Sequence, residues 1–536
     1  MDEPAETMEA PETLRRFNDP IHDYIPFSSL VCTFIDTGHF QRLRYIKQLG
    51  VSYYVWPGAS HNRFEHCLGV AYLARKLAEH LQKTQPSLGI TNRHILCVEL
   101  AGLCHDLGHG PWSHVWDGMF IPKATNGKKK WKHEDASEMM FDDMVNKYNL
   151  DISPDEVILV KALIAGDVTR CELGTTMPFL FEIVANKRNG IDVDKFDYIA
   201  RDAHAIGDRN NLSLTRLIHS ARVIKHEICF DIKDANQIYE LCYTRFSLHK
   251  RIYNHKTAKA IEYMIIDALL AAEHHMKIID LIDKPDRYLF LTDDVLTRIE
   301  MSTEDTLQEA RDIIERIRVR NLYKVVDYKV YPWDYRERCR KNITPERIVE
   351  AARKVASGSD NTLVGELSPS HVIVNLSPLH YGMEDKNPLE FVRFYSKHSP
   401  MVAHPGSRDT ISSLMPDSFG EVLLRIFTKE ARFFGIIQRA YRELVQTAFN
   451  ETEDIWFPEP SGVLTPTPEP PSTPRQNKRT FSRNLSLGSL SERDLARPNP
   501  FTDAQNSPLI LNIDNRKRQR NEIGHEGSPP HKRKAM

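Results

Sequence analysis

The sequence lacks long hydrophobic runs, paired cysteines and a strong imbalance of charge. No apolar stretch approaches the ~20 residues that span a bilayer, so we expect no membrane partner. The acidic start, MDEPAETMEA, has no apolar core of the kind found in secretory signals. The eight cysteines include no CxxC pair, which argues against a zinc finger and favours reduced thiols in the cytosol or nucleus. A net charge of −2 excludes a chain that is polybasic throughout.

The chain is 41% hydrophobic and 27% charged, as is usual for a globular protein. Most of its apolar residues recur at the spacing of a helix. Apolar residues recur at helical spacing in HCLGVAYLARKLAEHL (66–81), KTAKAIEYMIIDALLAAEHH (256–275) and FGEVLLRIFTKEARFFGIIQRAYRELV (419–445). Strand-like segments are few: ARVIKHEICFDI (221–232), LYKVVDYKVY (322–331) and SHVIVNLS (370–377). These patterns predict a mostly α fold.

The chain divides by composition into four regions. Residues 1–14 are predicted to be disordered, 15–300 to form a mostly helical domain, and 301–455 to form a smaller α+β lobe packed on it. Residues 456–536 are rich in proline and carry only two aromatic residues after Phe457, so we expect a disordered tail. The tail contains basic clusters at 516–520 and 531–536, which predict nuclear import, although the cytoplasm stays open as a second location.

The segment ELAGLCHDLGHGPWSH (99–114) carries the most informative chemistry. An apolar helix ends in His105 and Asp106, and glycine and proline break the chain before His109 and His114. A lone His-Asp pair is usually only a polar helix end. Two further segments reinforce it: GASHNRFEH places Arg63 and His66 at a helix start, and NGIDVDKFDYIARD places Asp194, Tyr198 and Asp202 on one helix face.

Imidazole and carboxylate groups together suit a Zn, Fe or Mn ion. An ion held by His66, His105, Asp106 and Asp194 would keep positions open for water and a phosphate oxygen. A basic helix face around Arg245 could neutralise phosphate charge, although such faces are more often simply solvated. The combination predicts hydrolysis of an anionic phosphate ester.

Longer strings in the same regions are more specific. FQRLRYIKQLG, WPGASHNRFEH, LAGLCHDLGHGPWSH, NKRNGIDVDKFDY and RNLYK resemble the HD-domain phosphohydrolase superfamily and, within it, the SAM-and-HD-domain deoxynucleoside triphosphate triphosphohydrolase family. The resemblance extends over about residues 15–450. Only residues 1–16 precede FNDPIH, too few for a SAM domain, so we expect none here.

The resemblance implies that a dNTP is cut at the α-phosphate to give a deoxynucleoside and inorganic triphosphate. It implies one divalent transition metal per subunit on His66, His105, Asp106 and Asp194, with His133 as the catalytic acid and His109, His114 and Asp117 as phosphate-contacting or supporting groups. Implied substrate contacts are Arg63, Lys195, Arg245 and Asn254, the last in place of the family's glutamine. Gln48, Tyr198 and Asp202 would read the sugar 3′-hydroxyl, and Leu49 and Tyr253 would pack on the deoxyribose.

The resemblance also implies regulation by GTP or dGTP together with a dNTP, all as Mg complexes, which join subunits into a homotetramer through the 301–455 lobe. The residues that match or neighbour the guanine-nucleotide pocket are Arg15, Asp36, Gln41, Arg44, Arg320 and Lys324. Those matching the adjoining dNTP pocket are Asn18, Val55, Arg216, Lys233, Gln237 and Lys429. Gln237 replaces an asparagine, and Asp231 stands where the family places a basic residue.

Two other functions remain open from the residues alone. The chain could be an HD phosphohydrolase acting on nucleoside monophosphates or cyclic nucleotides, although so small a substrate needs less positive charge than this sequence offers. It could instead be a non-enzymatic nucleic-acid-binding protein, and weak binding of single-stranded nucleic acid is compatible with the enzyme as well. A non-enzymatic protein would leave the four metal-ligand residues unexplained.

Overall fold

A computed structural model describes residues 14–209, 211–357 and 360–449. The chain divides into Met1–Trp456 and Phe457–Met536, and every described residue belongs to the first unit. The predictions for residues 1–13 and for the tail, including its basic clusters, therefore fall outside the described residues. None of the described helices is long and apolar enough to cross a membrane.

Helices form most of the described structure, which confirms the predicted fold class. They are α1 (Ser29–Ile35), α2 (Gly38–Gln41), α3 (Arg63–Thr84), α4 (Asn92–Cys104), α5 (Ile121–Ala124), α6 (His133–Tyr148), α7 (Pro154–Ala165), α8 (Leu173–Thr176), α9 (Phe181–Val184), α10 (Val193–Ala205), α11 (Leu214–Ser220), α12 (Ala235–Leu248), α13 (Lys256–Met276), α14 (Pro285–Tyr288), α15 (Val295–Met301), α16 (Gln308–Arg318), α17 (Arg336–Asn342), α18 (Pro345–Val355), α19 (Asp360–Glu366), α20 (Arg408–Ile411) and α21 (Phe434–Phe449).

The strands form three small sheets. They are β1 (Arg15–Asp19), β2 (Asp23–Phe27), β3 (Arg222–Ile224), β4 (Glu227–Asp231), β5 (Lys324–Pro332), β6 (Val372–His380), β7 (Arg393–Ser396), β8 (Ser399–Pro405) and β9 (Gly420–Thr428). Strands β1 and β2 make an antiparallel hairpin, β3-β4-β7-β8 a mixed sheet with β4 parallel to β7, and β5-β9-β6 an antiparallel sheet. The three strand-like segments of the sequence become β3–β4, β5 and β6, as predicted.

The predicted helix over 419–445 is wrong in its first half, where the structure has the central strand β9. Along β9, Val422, Leu424 and Ile426 join a hydrophobic cluster with α18 and α21, whereas Phe427 joins the larger helical core. A strand that is buried on both faces has a continuous apolar sequence, and periodicity alone cannot distinguish it from a buried helix. Only the second half of the segment is helical, as α21.

Helices α3 and α4 pack closely against each other in the helical core. Asn62 and Glu65 cap the start of α3 reciprocally, so the helix begins at Arg63 and His66 lies in its first turn. A Cβ on Gly102 of α4 would lie 3.1 Å from the Ala71 Cα of α3, a close approach that favours glycine. The larger core also includes Leu307 to Ile317 of the 301–455 region, and the predicted division at residue 300 stays a prediction.

Candidate active site

Three helix ends bring the four predicted metal ligands together. His66 lies in the first turn of α3, His105 and Asp106 directly follow α4, and Asp194 lies in the first turn of α10. His66 Nε2 is 3.1 Å from Asp194 Oδ1 and 3.6 Å from Asp106 Oδ2. His105 Nε2 is 3.5 Å from both Asp106 Oδ1 and Asp194 Oδ1. Ligand atoms of His66, His105 and Asp106 all lie within 4.8 Å of one another.

This donor set fits a divalent transition metal. His105 Nδ1 donates to the Gly102 carbonyl at 2.8 Å, so its Nε2 faces the carboxylates, and within the described chain that buried nitrogen has no hydrogen-bond partner. His66 is oriented in the same way, because its Nδ1 donates to Asp197 Oδ2 at 2.8 Å. Two imidazole nitrogens and two carboxylates around one point suit Zn, Fe or Mn.

The charges around His66 favour a cation at this point. Burial lowers the pKa of His66, but hydrogen bonds to Asp194 and Asp197 outweigh it and raise that pKa to about 10. Burial would raise the pKa of Asp106, but the Arg63 guanidinium, which pairs with it, holds that pKa well below its usual range. The carboxylates are therefore ionised, and the site holds more negative than positive charge unless a proton or a metal ion compensates.

A second group of side chains, which His109 links to Asp106 at 3.2 Å, is suited to proton transfer. The rings of His109 and His133 stack with centroids 3.9 Å apart, and His133 Nδ1 donates to Asp117 Oδ2 at 2.5 Å. Burial lowers the pKa of His133, but the hydrogen bond and charge of Asp117 outweigh it and raise that pKa. Burial and then the charge of Arg63 lower the pKa of His109 well below its usual value, so His109 is neutral. His114 lies 3.8 Å from Asp117 and is exposed.

Between these two groups opens a cavity of about 540 Å³. Every substrate contact implied by the family resemblance lines it: Gln48, Leu49, Arg63, Lys195, Tyr198, Asp202, Arg245, Tyr253 and Asn254. At one part of the wall, Asp202 accepts hydrogen bonds from the Tyr253 hydroxyl at 2.6 Å and from His61 at 2.7 Å. The buried Gln48 Oε1 has no hydrogen-bond partner among the described residues. This end of the cavity therefore offers polar groups beside the apolar Leu49.

Cations line another part of the cavity. Arg245 donates to the His380 carbonyl at 2.8 Å, and its buried Nε has no partner within the part of the chain that the structure describes. Lys195 pairs with Asp192 at 2.9 Å, and Lys259 pairs with Glu262 at 2.7 Å. A polyanionic ligand could replace the His380 carbonyl, Asp192 and Glu262 as the partner of these cations.

Two π-helical turns shape the cavity wall. Trp116–Phe120 carries Asp117, and His249–Tyr253 carries Tyr253 at its last position. Such turns insert an extra residue into a helix and are frequent at functional sites. Periodicity in the sequence gave no indication of them.

Sequence reasoning missed Asp197, which holds His66, and the cavity-lining residues Trp112 and Lys259. It placed His249 on the basic helix face with Arg245, and both residues line the cavity. Trp112 and Ser113 are consecutive non-glycine residues with φ of 53° and 57°, a strained pair that nothing in the sequence predicts. This backbone conformation places Ser113 Oγ where it accepts a hydrogen bond from Arg63 Nε at 2.9 Å. For Asp197 a signal was present: it lies one turn after Asp194 on the same helix.

The predicted effector residues form three separate groups in one chain. Arg15 forms a bidentate ion pair with Asp36, with distances of 2.8 and 2.9 Å, and Asn18 lies on the same strand as Arg15. Arg44 donates to Gln41 at 2.8 Å. Arg320 donates to the carbonyl of Tyr54 beside Val55, and Lys324 pairs in register with Thr428 beside Lys429. Arg216, Lys233 and Gln237 lie around Ser213 and Asp234. Among the described residues, no hydrogen bond or ion pair joins these groups.

The helical core and the histidine–aspartate ligand set beside a polar cavity are the features of an HD-domain phosphohydrolase. The HD domain model matches residues 63–165, and the HD associated region model matches residues 212–401. An HD domain implies a divalent metal.

The chain is similar to proteins with a more specific name. It is 43% identical over 455 residues to deoxynucleoside triphosphate triphosphohydrolase SAMHD1 of Bos taurus, covering 78% of this chain and 76% of that one. Identity to the Homo sapiens protein of the same name is 41% over 452 residues, covering 78% and 71%. Identity to the SAMHD1 homolog of Dictyostelium discoideum is 38% over 429 residues, covering 80% of each chain. The chain belongs to the SAMHD1 family of deoxynucleoside triphosphate triphosphohydrolases.

Proposed function

We propose that this protein hydrolyses a dNTP to a deoxynucleoside and inorganic triphosphate. The observation that carries the proposal is a single cavity lined by three of the four metal-ligand side chains, His105, Asp106 and Asp194, with the fourth, His66, beside them. The same cavity is lined by the carboxylate-supported imidazole of His133, by cations and by a small polar and apolar part. A triphosphate and a deoxyribose are the two halves of a ligand that would need both kinds of wall. The family membership supports the same reading.

The residues have distinct roles in this reaction. His66, His105, Asp106 and Asp194 would hold a divalent ion, which would supply the Lewis acidity to acidify a water molecule and polarise the phosphate. Lys195, Arg245 and Lys259 bind the triphosphate oxygens and compensate their charge. His133 holds its proton because Asp117 accepts from Nδ1, and it gives a proton to the 5′ oxygen as the bond between that oxygen and the α-phosphorus breaks.

The sugar end of the cavity determines which nucleotide fits. Tyr253 is held by its hydrogen bond to Asp202, so its ring cannot move away easily from the deoxyribose face. Leu49 lines the cavity nearby. A ribose 2′-hydroxyl would meet these side chains, whereas Gln48, Tyr198 and Asp202 offer polar groups to the 3′-hydroxyl.

Product analysis tests the proposal directly. The full-length protein, supplied with GTP and Mg, is incubated with dATP and, separately, with dAMP, cyclic AMP and ATP, and the products are separated by ion-exchange chromatography. Deoxyadenosine and inorganic triphosphate in equal amounts support the proposal. Orthophosphate or a nucleotide product would support another HD phosphohydrolase, and no turnover of any substrate with metal-loaded protein would favour a non-enzymatic role.

We further propose that GTP or dGTP, together with a dNTP and Mg, activates the enzyme by joining subunits into a homotetramer, and that the enzyme thereby controls dNTP pools. The separation of the predicted effector residues into three groups supports a pocket that a second copy completes. The single-chain contacts leave these side chains at the surface, where Arg15 and Asp36 are 42% and 57% exposed. Sedimentation with and without GTP and dATP tests the assembly; a monomer under activating conditions would contradict it.

Zinc, iron or manganese is the proposed ion, and the nucleus is the proposed location. The donor set of two nitrogens and two or more oxygens is compatible with each of the three metals. Metal analysis of protein purified without added metal distinguishes them.

Weak binding of single-stranded nucleic acid stays a secondary proposal, which a fluorescence-anisotropy titration at two salt concentrations tests.

A further inference from the structure

The ring of His66 is held from behind by Asp197. Asp197 lies on α10 one turn after Asp194, and its side chain is completely buried. Its Oδ2 accepts the His66 Nδ1 proton at 2.8 Å, which leaves His66 Nε2 directed toward Asp194 and Asp106. A carboxylate in this position fixes both the tautomer and the orientation of a metal-ligating imidazole.

Asp197 is in turn held by two further side chains. Arg201, one turn later on α10, donates to both of its oxygens at 2.8 and 2.9 Å. His22, from the turn between β1 and β2, donates through Nε2 to Asp197 Oδ1 at 2.6 Å. The His22 side chain is only 6% exposed, so this contact is protected from water.

The turn that carries His22 is itself rigid. Asp19 Oδ1 accepts from the backbone amides of Ile21 and His22, both at 2.9 Å. Asp19 Oδ2 accepts from Arg201 Nη1 at 2.8 Å, so the hairpin is attached to α10 twice. The residue that donates to Asp197 therefore comes from a fixed position.

Packing leaves the network no room to rearrange. A Cβ on Gly69 of α3 would lie 1.9 Å from Asp197 Oδ1 and 2.6 Å from Arg201 Nη2, so only glycine fits there. The His22 ring also packs against the Tyr72 ring, with ring centroids 5.5 Å apart. If the His22 hydrogen bond is lost, Asp197 Oδ1 depends on Arg201 alone, so the carboxylate and the His66 ring that it orients are held less firmly.

We propose that His22 is a positioning residue that orients the metal ligand His66 through Asp197. This inference deepens the proposed metal-dependent function and rests on it, since the His66 ring faces the proposed metal site. His22 touches neither the cavity nor the substrate contacts; it lines a separate groove on the other side of the network.

The test compares two substitutions at His22. His22→Leu removes the donor at similar volume, whereas the amide Nε2 of His22→Gln can still donate to Asp197. Full-length protein is stripped of metal with a chelator and titrated with Mn²⁺, and free Mn²⁺ is followed by electron paramagnetic resonance. We expect His22→Leu to weaken Mn²⁺ binding by about 10- to 100-fold and His22→Gln to stay within a few-fold of the parent protein.

A matched control separates positioning from general stability. His80 is also partly buried and donates one hydrogen bond, to the Ala221 carbonyl at 3.0 Å, but has no contact with Asp197. His80→Leu should lower the melting temperature of the metal-free protein without changing Mn²⁺ affinity. If His22→Leu likewise lowers only the melting temperature, or if both variants change Mn²⁺ affinity equally, the positioning role is overturned.

Asp197→Asn provides the second measurement. If His22 acts through Asp197, His22→Leu should have little further effect on Mn²⁺ affinity in the Asp197→Asn background; additive losses would overturn the proposed route. These outcomes do not depend on the substrate. Loss of Mn²⁺ affinity in a protein that never releases triphosphate would keep the positioning role and reject the proposed reaction.

Discussion

Replacing Asp117 with asparagine tests the assignment of His133 as the proton donor. Asp117→Asn keeps an oxygen that can accept from His133 Nδ1, now 2.5 Å away, but removes the negative charge. Burial lowers the pKa of His133, and at present the hydrogen bond and charge of Asp117 more than compensate, so that the pKa is raised above its ordinary value. Without the charge of Asp117, the pKa of His133 should fall.

The size of the change follows from the geometry. An opposite charge within hydrogen-bonding distance shifts a pKa by about 1–3 units. A proton donor works while it is protonated, so activity is present below its pKa and is lost as the pH rises through it. The alkaline limb of kcat should therefore move about 1–3 pH units toward acid in Asp117→Asn. At a pH above both limbs the rate should fall about 10- to 1000-fold, ten-fold for each unit.

The assay is triphosphate release at saturating dNTP, effector and metal over the range in which the protein stays folded. Glu134→Gln is the matched control, because Glu134 lies 3.5 Å from the same nitrogen but is 41% exposed, and solvent screens its charge. Its limb should move much less. An alkaline limb that is unchanged in Asp117→Asn would refute His133 as the group that titrates there.

Three further predictions follow from other parts of the molecule. His105→Ala should remove the metal and reduce activity at least about 100-fold with little loss of folding stability, whereas Asp106→Ala should also cost about 3–5 kcal/mol, because it leaves the buried Arg63 without its partner; equal stability of the two variants in urea unfolding would contradict this. Asp36→Asn should weaken activation by GTP far more than catalysis, as judged by activity against GTP concentration with sedimentation in parallel. Deleting residues 516–536 should preserve kcat but abolish nuclear enrichment in imaging, and an equally nuclear variant would reject the import signal.

Local patterns predicted much of the fold correctly where an apolar segment is long. The apolar stripe of 66–81 lies within α3, and 256–275 almost coincides with α13, because segments of this length exceed a typical strand. Strand β9 was missed because both of its faces are covered, by α18 and α21 on one side and by the helical core on the other. The deciding information for β9 lay in its neighbours.

The metal ligands were predictable because three short segments each carry one or two of them at a helix end. The support from the hairpin was not, since His22 meets Asp197 and Arg201, which lie one turn apart on α10, only when the hairpin and α10 pack together. A sequence shows His22 as an isolated histidine in a turn. Its contact with Asp197, 175 positions away, exists only in three dimensions.

The buried and exposed ion pairs of this protein suit opposite tasks. Asp36 already has both oxygens occupied by Arg15, so a guanine base that binds there must displace or share this pair. Both side chains are exposed, and an exposed pair contributes only about 0–1 kcal/mol, so exchanging it for a ligand costs little. The Asp197 network is completely buried, and breaking it leaves charges without partners. Under the proposed regulation, the contact that would respond to an effector lies at the surface, whereas the contact proposed to hold a metal ligand fixed lies in the core.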